Sequence, residues 1–285
     1  MSATVGALLA ETAAVIGSNP TAAPRAEAEI LLAHALGLSR AQLWARPEAA
    51  VGPAAAGAAR ALARRRAAGE PVAYLVGRRA FWTVELEVGP AALIPRLETE
   101  LIVEQALALL PASAAACVAD LGTGSGALAL ALAAERPAWR IVATDASGEA
   151  LALARRNAAR LRLTVDFRQG DWAGALRPGE VFDLVASNPP YVAEGDPHLA
   201  EGDLPWEPVA ALTAGADGLD AIRQIAPAAL THLHAGGWLL LEHGAQQGPA
   251  VRAILARAGF GAIDTLRDLA GLERVTRGRR AGASP

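Results

Sequence analysis

Apolar residues in the first seventy positions recur at the spacing of amphipathic helices. Four such stretches, bounded by glycine or proline, follow one another: ATVGALLAETAAVIG, PRAEAEILLAHALGL, SRAQLWAR and AAAGAARALARRRAAGE. In the first stretch, the apolar side chains that share one face are Val5, Leu8, Leu9 and Ile16. The pattern predicts a small all-helical domain over residues 1–72.

A period of two then replaces the helical spacing, in the stretch VAYLVGRRAFWTVELEVG. The alternating sets are Phe81, Thr83, Glu85 and Glu87 on one side and Trp82, Val84, Leu86 and Val88 on the other. Alternation around Gly77-Arg78-Arg79 is typical of a β-hairpin. We expect this hairpin to form a linker over residues 73–92.

From residue 93 onward, strand-like apolar runs alternate with helical ones. The predicted strands are ACVADLG, RIVATD, TVDFRQGD, VFDLVASN and GGWLLLEHG, followed by a final strand pair in IDTLRDLAGLERVTRG. Helical stretches such as GEALALARRNAARL separate most of them. This order predicts an α/β domain over residues 93–285 with a mostly parallel, doubly wound sheet. Sheets of this type bind ligands at the carboxyl ends of their strands.

Composition narrows the functional classes. The 285 residues are 53% hydrophobic and carry a net charge of −3, so no general attraction to nucleic acid is expected. No apolar run reaches the roughly 18 residues of a membrane helix, and the N-terminus lacks the basic start of a signal peptide. The single cysteine excludes a disulfide framework. Together these features predict a cytoplasmic protein without a membrane or direct nucleic-acid partner.

A glycine-rich turn joins the first predicted strand of the sheet to a helix, in VADLGTGSGALAL. Its glycines allow a ligand to approach the backbone, and the helix N-terminus offers free N–H groups to an anion. Asp145 ends the next strand, where a carboxylate can accept both hydroxyls of a ribose. Taken alone, the turn also fits a dinucleotide site or a tight turn without a ligand. The residues of this turn are Gly122, Thr123, Gly124, Ser125 and Gly126.

Two further strand ends favour S-adenosylmethionine (SAM) as the ligand. Asp171 can accept from an adenine amino group, and Trp172 offers a flat face to the ring. Asp120, just before the glycine-rich turn, is an acid beside a helix N-terminus, a pair that suits the ammonium and carboxylate of SAM. Three strand ends in series therefore fit one adenosyl ligand.

The fourth strand end carries Asn188-Pro189-Pro190-Tyr191. Each proline fixes its own φ, so the backbone after Asn188 is stiff. The Asn188 side-chain oxygen and the Pro189 backbone carbonyl can hold both hydrogens of an –NH2 group, which directs its lone pair at a sulfonium methyl. Tyr191 can stack on the planar group. The motif selects planar –NH2 groups, and adenine amines, guanine amines and glutamine amides all qualify.

On these motifs the chain resembles the bacterial release-factor glutamine methyltransferases (PrmC/HemK). The likeness extends over nearly the whole length, through GEPVAYLVGRRAFW, ALIPRLETE, DLGTGSGALALALA, SNPPYV, DPHLAEGD, the EP and AL of EPVAAL, LLLEHG and ERVTRGR. It implies a helical N-terminal domain, a hairpin and a Rossmann-like, SAM-dependent methyltransferase domain. The implied substrate is the glutamine of the GGQ loop in class 1 peptide chain release factors.

The resemblance also implies roles for individual residues. Those implied to contact SAM are Gly122 to Gly126, Asp145, Trp172 and Asn188. Those implied to clamp the substrate amide are Asn188, Pro189, Pro190 and Tyr191. The stretch IPRLETE is similar to a family motif near the active site, with Leu97 in place of the usual proline, and contributes Arg96, Thr99 and Glu100. Because every cofactor motif follows residue 93, we expect residues 1–72 to recognise the release factor.

Other functions fit the residues less well. A nucleic-acid amine methyltransferase, the main alternative, normally holds phosphates in a basic groove and flips a base, whereas this chain is net acidic. A dinucleotide oxidoreductase leaves Asn188-Pro189-Pro190-Tyr191 unexplained. A SAM-binding protein without catalysis has no need of the intact motif.

Overall fold

A computed structural model describes residues 3–113 and 115–282. The chain divides into two compact units, which we call the helical unit and the sheet unit. The helical unit consists of Met1–Arg78 and Pro197–Trp206, and the sheet unit of Arg79–Asp196 and Glu207–Pro285.

The described residues of the helical unit include five α-helices and two short strands that pair with each other, besides two 3₁₀ helices within Pro197–Trp206. The helices are α1 (Val5–Ile16), α2 (Pro24–Leu36), α3 (Arg40–Ala45), α4 (Pro53–Ala67) and α5 (Val72–Val76), and strands β1 (Ala3–Thr4) and β2 (Ala50–Val51) pair antiparallel. The predicted apolar face of α1 is buried, which confirms the helical periodicity. Capping fixes the ends: the Thr4 side chain accepts from the Ala7 N–H, and Gly37 closes α2 in the left-handed conformation at φ 63°.

A segment distant in sequence completes the helical unit. The Arg66 side chain is only 4% exposed and pairs with Glu27 at 2.8 Å and with Asp203 at 3.0 Å. A buried guanidinium needs such partners, because an unpaired charge in the interior is strongly destabilising. Arg66 thereby anchors Pro197–Trp206 on the helices.

The hairpin forms strands β3 (Arg78–Phe81) and β4 (Val84–Glu87). Its turn differs from the expected one, because Gly77 ends α5 at φ 75° and the chain reverses at Trp82 and Thr83. Trp82 has φ 51°, an unusual value for a side chain of this size. Two hydrogen bonds hold it there: its N–H donates to Glu100 Oε1 and its Nε1–H to Glu135 Oε1, both at 2.8 Å.

Seven strands form the main sheet, in the order β10-β11-β9-β8-β5-β6-β7. Their bounds are β5 (Cys117–Leu121), β6 (Arg140–Asp145), β7 (Asp166–Gln169), β8 (Phe182–Ser187), β9 (Leu233–Glu242), β10 (Phe260–Arg267) and β11 (Glu273–Arg280). The helices of this unit are α6 (Glu100–Leu109), α7 (Ala127–Glu135), α8 (Gly148–Leu161), α9 (Asp220–Thr231) and α10 (Gly248–Ala258). Strands β5 to β9 pair in parallel, and β10 and β11 add an antiparallel edge. The predicted mostly parallel α/β sheet is confirmed.

The strand order reverses beside β5. The chain proceeds from β5 outward to β6 and β7, and then returns to place β8 on the other side of β5. Connections leave in opposite directions at such a point, which opens a crevice at the carboxyl ends of β5 and β8. The predicted site residues lie at or just after the ends of β5, β6, β7 and β8.

Candidate active site

A cavity of about 360 Å³ lies in the sheet unit at this reversal point. Its size is within the range typical of small-molecule sites. Eight of the eleven predicted site residues line it: Gly122, Thr123, Gly124, Ser125, Asp145, Trp172, Asn188 and Pro190. The other three, Gly126, Pro189 and Tyr191, lie outside this lining and are sequence neighbours of residues within it.

The glycine-rich turn depends on left-handed backbone at all three glycines. Gly122, Gly124 and Gly126 have φ of 74°, 57° and 87°. A Cβ at Gly122 would lie 2.8 Å from Trp172 Cζ3, and one at Gly126 would lie 3.0 Å from Leu130 Cδ1. The first and third glycines are therefore required by close packing as well as by φ.

Asp145 fastens this turn to the end of β6. Its Oδ2 accepts from the Gly124 N–H at 2.8 Å, and its Oδ1 accepts from the Ser147 N–H at 2.9 Å. A carboxylate oxygen has two lone pairs, so each oxygen keeps capacity for a ligand hydroxyl. The geometry is compatible with the ribose contact, which stays a prediction.

Asp120 is buried beneath the turn, with an exposed fraction of 1%. Its Oδ2 accepts from Thr123 Oγ1 at 2.6 Å and from the Ala129 N–H at 3.2 Å. Burial raises the pKa of this carboxyl to about 7, against the lowering effect of those two bonds. Asp120 thus connects the turn to the first turn of α7.

Trp172 covers the turn from the end of β7. Its backbone has φ 43°, and its carbonyl accepts from Thr144 Oγ1 at 3.1 Å. A left-handed tryptophan persists only where the surroundings hold it, and here the ring contacts Gly122. Asp171 also lines the cavity, so both predicted adenine contacts reach it.

A chain of hydrogen bonds holds the Asn188 side chain from behind. Asn188 Nδ2 donates to Thr99 Oγ1 at 2.9 Å, and Thr99 Oγ1 donates to Glu242 Oε2 at 2.6 Å. The Tyr191 hydroxyl donates to the other carboxylate oxygen, Oε1, at 3.2 Å. We call these four residues the Asn188 relay. One carboxylate thereby anchors both ends of the Asn188-Pro189-Pro190-Tyr191 motif.

Burial dominates the electrostatics of the relay. Glu242 ends β9 with an exposed fraction of 0%, and burial raises its pKa to about 7. Burial, followed by the charge of Glu242, raises the pKa of Tyr191 as well. The phenol is therefore protonated at neutral pH and acts as a donor.

Sequence reasoning did not single out two of the residues that support this site. Glu242 was visible as an acid that ends the apolar run GGWLLLEHG and as part of the LLLEHG stretch of the family resemblance, but no role was predicted for it. Glu207 is buried, accepts from the Ile94 N–H at 2.9 Å and pairs with Arg96, which lines the cavity. An acid at the end of an apolar strand was the available signal for Glu242. Glu207 opens the stretch EPVAAL, which belongs to the family resemblance, but no local pattern predicts its contacts.

Two classes of feature are absent from the described part of the chain. Residues 3–113 and 115–282 contain no group of three or more His, Cys, Asp or Glu side chains placed to hold a metal ion. None of the helices described in the structure has the length and apolar character needed to cross a membrane.

Comparisons with known proteins match both units. The PrmC N-terminal domain family matches residues 7–77, and the methyltransferase small domain family matches residues 95–202. The structure of the T. thermophilus 16S rRNA N2 G1207 methyltransferase (RsmC), in complex with AdoMet and guanosine, is similar with a TM-score of 0.53. It is 20% identical and covers 71% of this chain and 49% of that chain, so the likeness concerns the fold.

Sequence similarity to curated relatives is much higher. The release factor glutamine methyltransferase of Xylella fastidiosa (strain Temecula1) is 52% identical over 259 residues, which are 90% of this chain and 94% of the relative. The enzyme of the same name from Escherichia coli (strain K12) is 47% identical over 257 residues, which are 90% and 92% of the two chains. Identity of this level over nearly the full length of both proteins places the chain in a family: it belongs to the release factor glutamine methyltransferases.

Proposed function

We propose that this protein transfers a methyl group from SAM to the side-chain amide nitrogen of the GGQ glutamine in class 1 peptide chain release factors. The observation that carries the proposal is the Asn188 relay. It holds a carboxamide rigidly in the same cavity that Asp145 and the glycine-rich turn line. The group proposed to bind the substrate amide and the groups proposed to bind the nucleoside of SAM thus line the same cavity.

The lining residues fit SAM. Asp145 retains acceptor capacity for ribose hydroxyls, and Asp171 and Trp172 supply an acceptor and a flat face for adenine. Gly124 lines the cavity without a side chain, which leaves the backbone of the turn open to a ligand there, whereas the Trp172 ring lies against Gly122. When bound there, SAM supplies an electrophilic methyl group on a positively charged sulfur.

Asn188 and Pro189 orient the substrate amide. Asn188 Nδ2 donates one of its two hydrogens to Thr99, which turns the nitrogen towards the relay and leaves Oδ1 as the acceptor of the carboxamide. This oxygen and the Pro189 carbonyl hold the two N–H groups of the glutamine amide, so that its lone pair faces the methyl group. Alignment of this kind lowers the barrier by preorganisation. No strong base is required beforehand, because the nitrogen becomes acidic only as it gains positive charge.

We assign recognition of the release factor to the helical domain, residues 1–72. The cavity residues all lie after residue 80, so this domain is not needed to build the cofactor site. The PrmC N-terminal domain family also matches this part of the chain. Under this assignment, residues 1–72 bind the release factor and the residues after 80 bind SAM.

Incubation with methyl-labelled SAM tests the proposed function. Parallel samples contain a class 1 release factor, the same factor with the GGQ glutamine replaced by alanine, duplex DNA, or ribosomal RNA. We expect label on the unmodified release factor and on none of the other samples. Label on DNA or RNA instead would support the alternative, a nucleic-acid amine methyltransferase. Equal label on the alanine-substituted factor would exclude the GGQ glutamine as the acceptor.

A further inference from the structure

The relay behind Asn188 contains a hydroxyl group with a single hydrogen. Thr99 is 5% exposed, and its Oγ1 lies 2.6 Å from Glu242 Oε2 and 2.9 Å from Asn188 Nδ2. An ionised carboxylate only accepts hydrogen bonds, and a threonine hydroxyl donates one. While Glu242 is ionised, the Thr99 hydrogen is therefore committed to it.

The hydrogen bond from Thr99 to Glu242 determines whether the nitrogen or the oxygen of the Asn188 carboxamide faces Thr99. With its hydrogen on Glu242, Thr99 Oγ1 offers only lone pairs to Asn188. The nitrogen of the carboxamide satisfies those lone pairs, whereas its oxygen would be repelled. Rotation of the carboxamide by half a turn would thus leave two acceptors in contact, at a free-energy cost typical of buried unpaired polar groups.

We propose that Glu242 and Thr99 are positioning residues that fix the orientation of the Asn188 carboxamide, so that its oxygen faces the substrate amide. This inference rests on the proposed function for the identity of that amide. Glu242 does not touch the cavity; it acts on the reaction through Thr99. The same carboxylate also fixes Tyr191, whose hydroxyl donates to its second oxygen.

The orientation depends on the charge of Glu242. A protonated carboxyl donates one hydrogen bond, and a bond of this kind to Thr99 would free the threonine hydrogen for the Asn188 oxygen. The carboxamide would then present its nitrogen to the substrate nitrogen. Besides Thr99 and Tyr191, the charged groups that act on Glu242 are Arg274, which favours its ionised form, and Glu98, which opposes it.

The test uses the full chain with Thr99→Val, which keeps the shape of the side chain and removes its hydroxyl. Thr99→Ser restores the hydroxyl. Thr12→Val is the matched control, because Thr12 is equally buried but donates to the Leu8 carbonyl in the helical unit. Glu242→Gln removes the charge without a change in shape.

Two readouts are measured on each variant. The first is kcat for methylation of a release factor, together with the affinity for SAM. The second is the NMR signal of the Asn188 side-chain NH2 group, identified by its absence from Asn188→Asp. Neither the identity of the substrate nor catalysis affects this second measurement.

We expect Thr99→Val to lower kcat at least about tenfold with SAM affinity unchanged, since misorientation in a preorganised site costs rate rather than cofactor binding. Thr99→Ser should stay within about threefold of wild type, as the restored hydroxyl re-forms the preorganised geometry. The Asn188 NH2 signal should shift and exchange faster in Thr99→Val and Glu242→Gln, but not in Thr12→Val.

Each outcome bears on a separate claim. An unchanged Asn188 signal in Thr99→Val overturns the relay, whatever the substrate is. Wild-type kcat in Thr99→Val also overturns it. If wild type fails to label the release factor while the Asn188 signal shifts as expected, the proposed function fails and the orienting role of Thr99 stands.

Discussion

At the scale of single residues, Asp145 combines two tasks that are usually separate. It fastens the glycine-rich turn through the Gly124 and Ser147 N–H groups, and it presents its remaining lone pairs to the cavity. A substitution here therefore removes part of the support for the cavity together with the predicted ribose contact.

Asp145→Ala is expected to weaken SAM binding without unfolding the protein. Loss of a hydrogen bond to a charged group costs about 1.5–3 kcal/mol, which corresponds to about 10-fold to 150-fold in affinity. Isothermal titration calorimetry measures the change. Asp166→Ala is the control, because Asp166 is an exposed carboxylate of the same sheet that pairs with Arg168 and lies outside the cavity lining. Equal SAM affinity in Asp145→Ala and wild type would exclude the ribose contact.

Asn188→Asp changes a group that contacts the relay and that we propose to hold the substrate amide. It replaces the Nδ2 donor to Thr99 with an oxygen and adds a charge to the relay that ends at Glu242. Loss of one well-placed group from a preorganised site lowers the rate about a hundredfold or more. We expect at least this loss in single-turnover methyl transfer followed by mass spectrometry, and SAM affinity within about tenfold of wild type, because the added charge attracts a sulfonium. Near-normal turnover would contradict the clamp.

Glu242 predicts a pH dependence of stability. Its pKa is raised from 4.5 to about 7 by burial, so between these values the folded protein holds a proton that the unfolded chain has released. Its contribution is complete below the unfolded pKa and is lost as the pH rises through the folded one. Relative to Glu242→Gln, wild type should lose up to about 1.4 kcal/mol of unfolding free energy per pH unit across this window.

Urea denaturation of both proteins at intervals across this window measures the difference. Asp120, whose pKa is also about 7, and His243, whose pKa is lowered by burial, are present in both proteins and cancel. A difference in unfolding free energy that does not change with pH would show that Glu242 titrates near its ordinary value.

At the scale of secondary-structure elements, the link between β5 and α7 requires glycine. Gly122→Ala places a Cβ 2.8 Å from the Trp172 ring at a backbone φ of 74°. Left-handed backbone alone costs an alanine roughly 1–2 kcal/mol, and the contact displaces the ring. We expect weaker SAM binding and altered tryptophan fluorescence.

Gly57→Ala is the matched control for this change. Gly57 lies inside α4, and a Cβ there meets nothing within 4 Å. Alanine in a helix interior is more favourable than glycine by roughly 0.5–1 kcal/mol, so this variant should gain stability and bind SAM normally. If Gly122→Ala also bound SAM normally, the close approach of the ring to the turn would have no role in the site.

The elements were predictable from the sequence to different degrees. The periodicity of α1 and the apolar runs of β6 and α8 predict those elements almost residue for residue. The hairpin turn was misplaced, and with it the predicted sets of the hairpin. Because the chain reverses at Trp82 and Thr83, Phe81 is buried like Val84 and Leu86, whereas Glu85 is exposed. Gly77 resembles a turn residue whether it closes a helix or a hairpin.

The contacts of the Asn188 relay could not be predicted for a related reason, although Asn188, Tyr191 and Thr99 were each expected at or near the active site. Thr99 and Glu242 are 143 positions apart and Thr99 and Asn188 are 89 apart, so these contacts exist only once the sheet has formed. Single residues such as Asp145 and Trp172 could be predicted, because each lies at or just after the end of a strand that the sequence predicts. Glu242, which completes the relay, lies in no local pattern that predicts its contacts with Thr99 and Tyr191.

At the scale of the whole molecule, the two units do not simply follow each other along the chain. The chain leaves the sheet unit after Asp196, contributes Pro197–Trp206 to the helical unit and returns to the sheet unit at Glu207. The helical unit is therefore assembled from two separate parts of the sequence. Arg66, buried between Glu27 and Asp203, is the side chain that secures the second part.

The helical unit also presents an exposed aromatic side chain that suits protein recognition. Trp44 in α3 is 59% exposed, and the Arg40 guanidinium lies 5.5 Å from its ring centre. Arg40 is itself held by Glu29 at 2.6 Å. Tryptophan and arginine are enriched among residues that dominate binding energy at protein interfaces. If the helical domain recognises the release factor, Trp44 is a suitable contact.

Trp44→Ala is accordingly expected to lower kcat/KM for an intact release factor at least about fivefold, the equivalent of about 1 kcal/mol. Affinity for SAM and kcat/KM for a short GGQ peptide should not change, since the peptide reaches the cavity without the helical domain. Leu269→Ala, an exposed apolar residue between β10 and β11 in the sheet unit, is the control. Equal loss with peptide and intact factor would place the effect of Trp44 on the cavity, and no loss with either would remove Trp44 from the recognition surface.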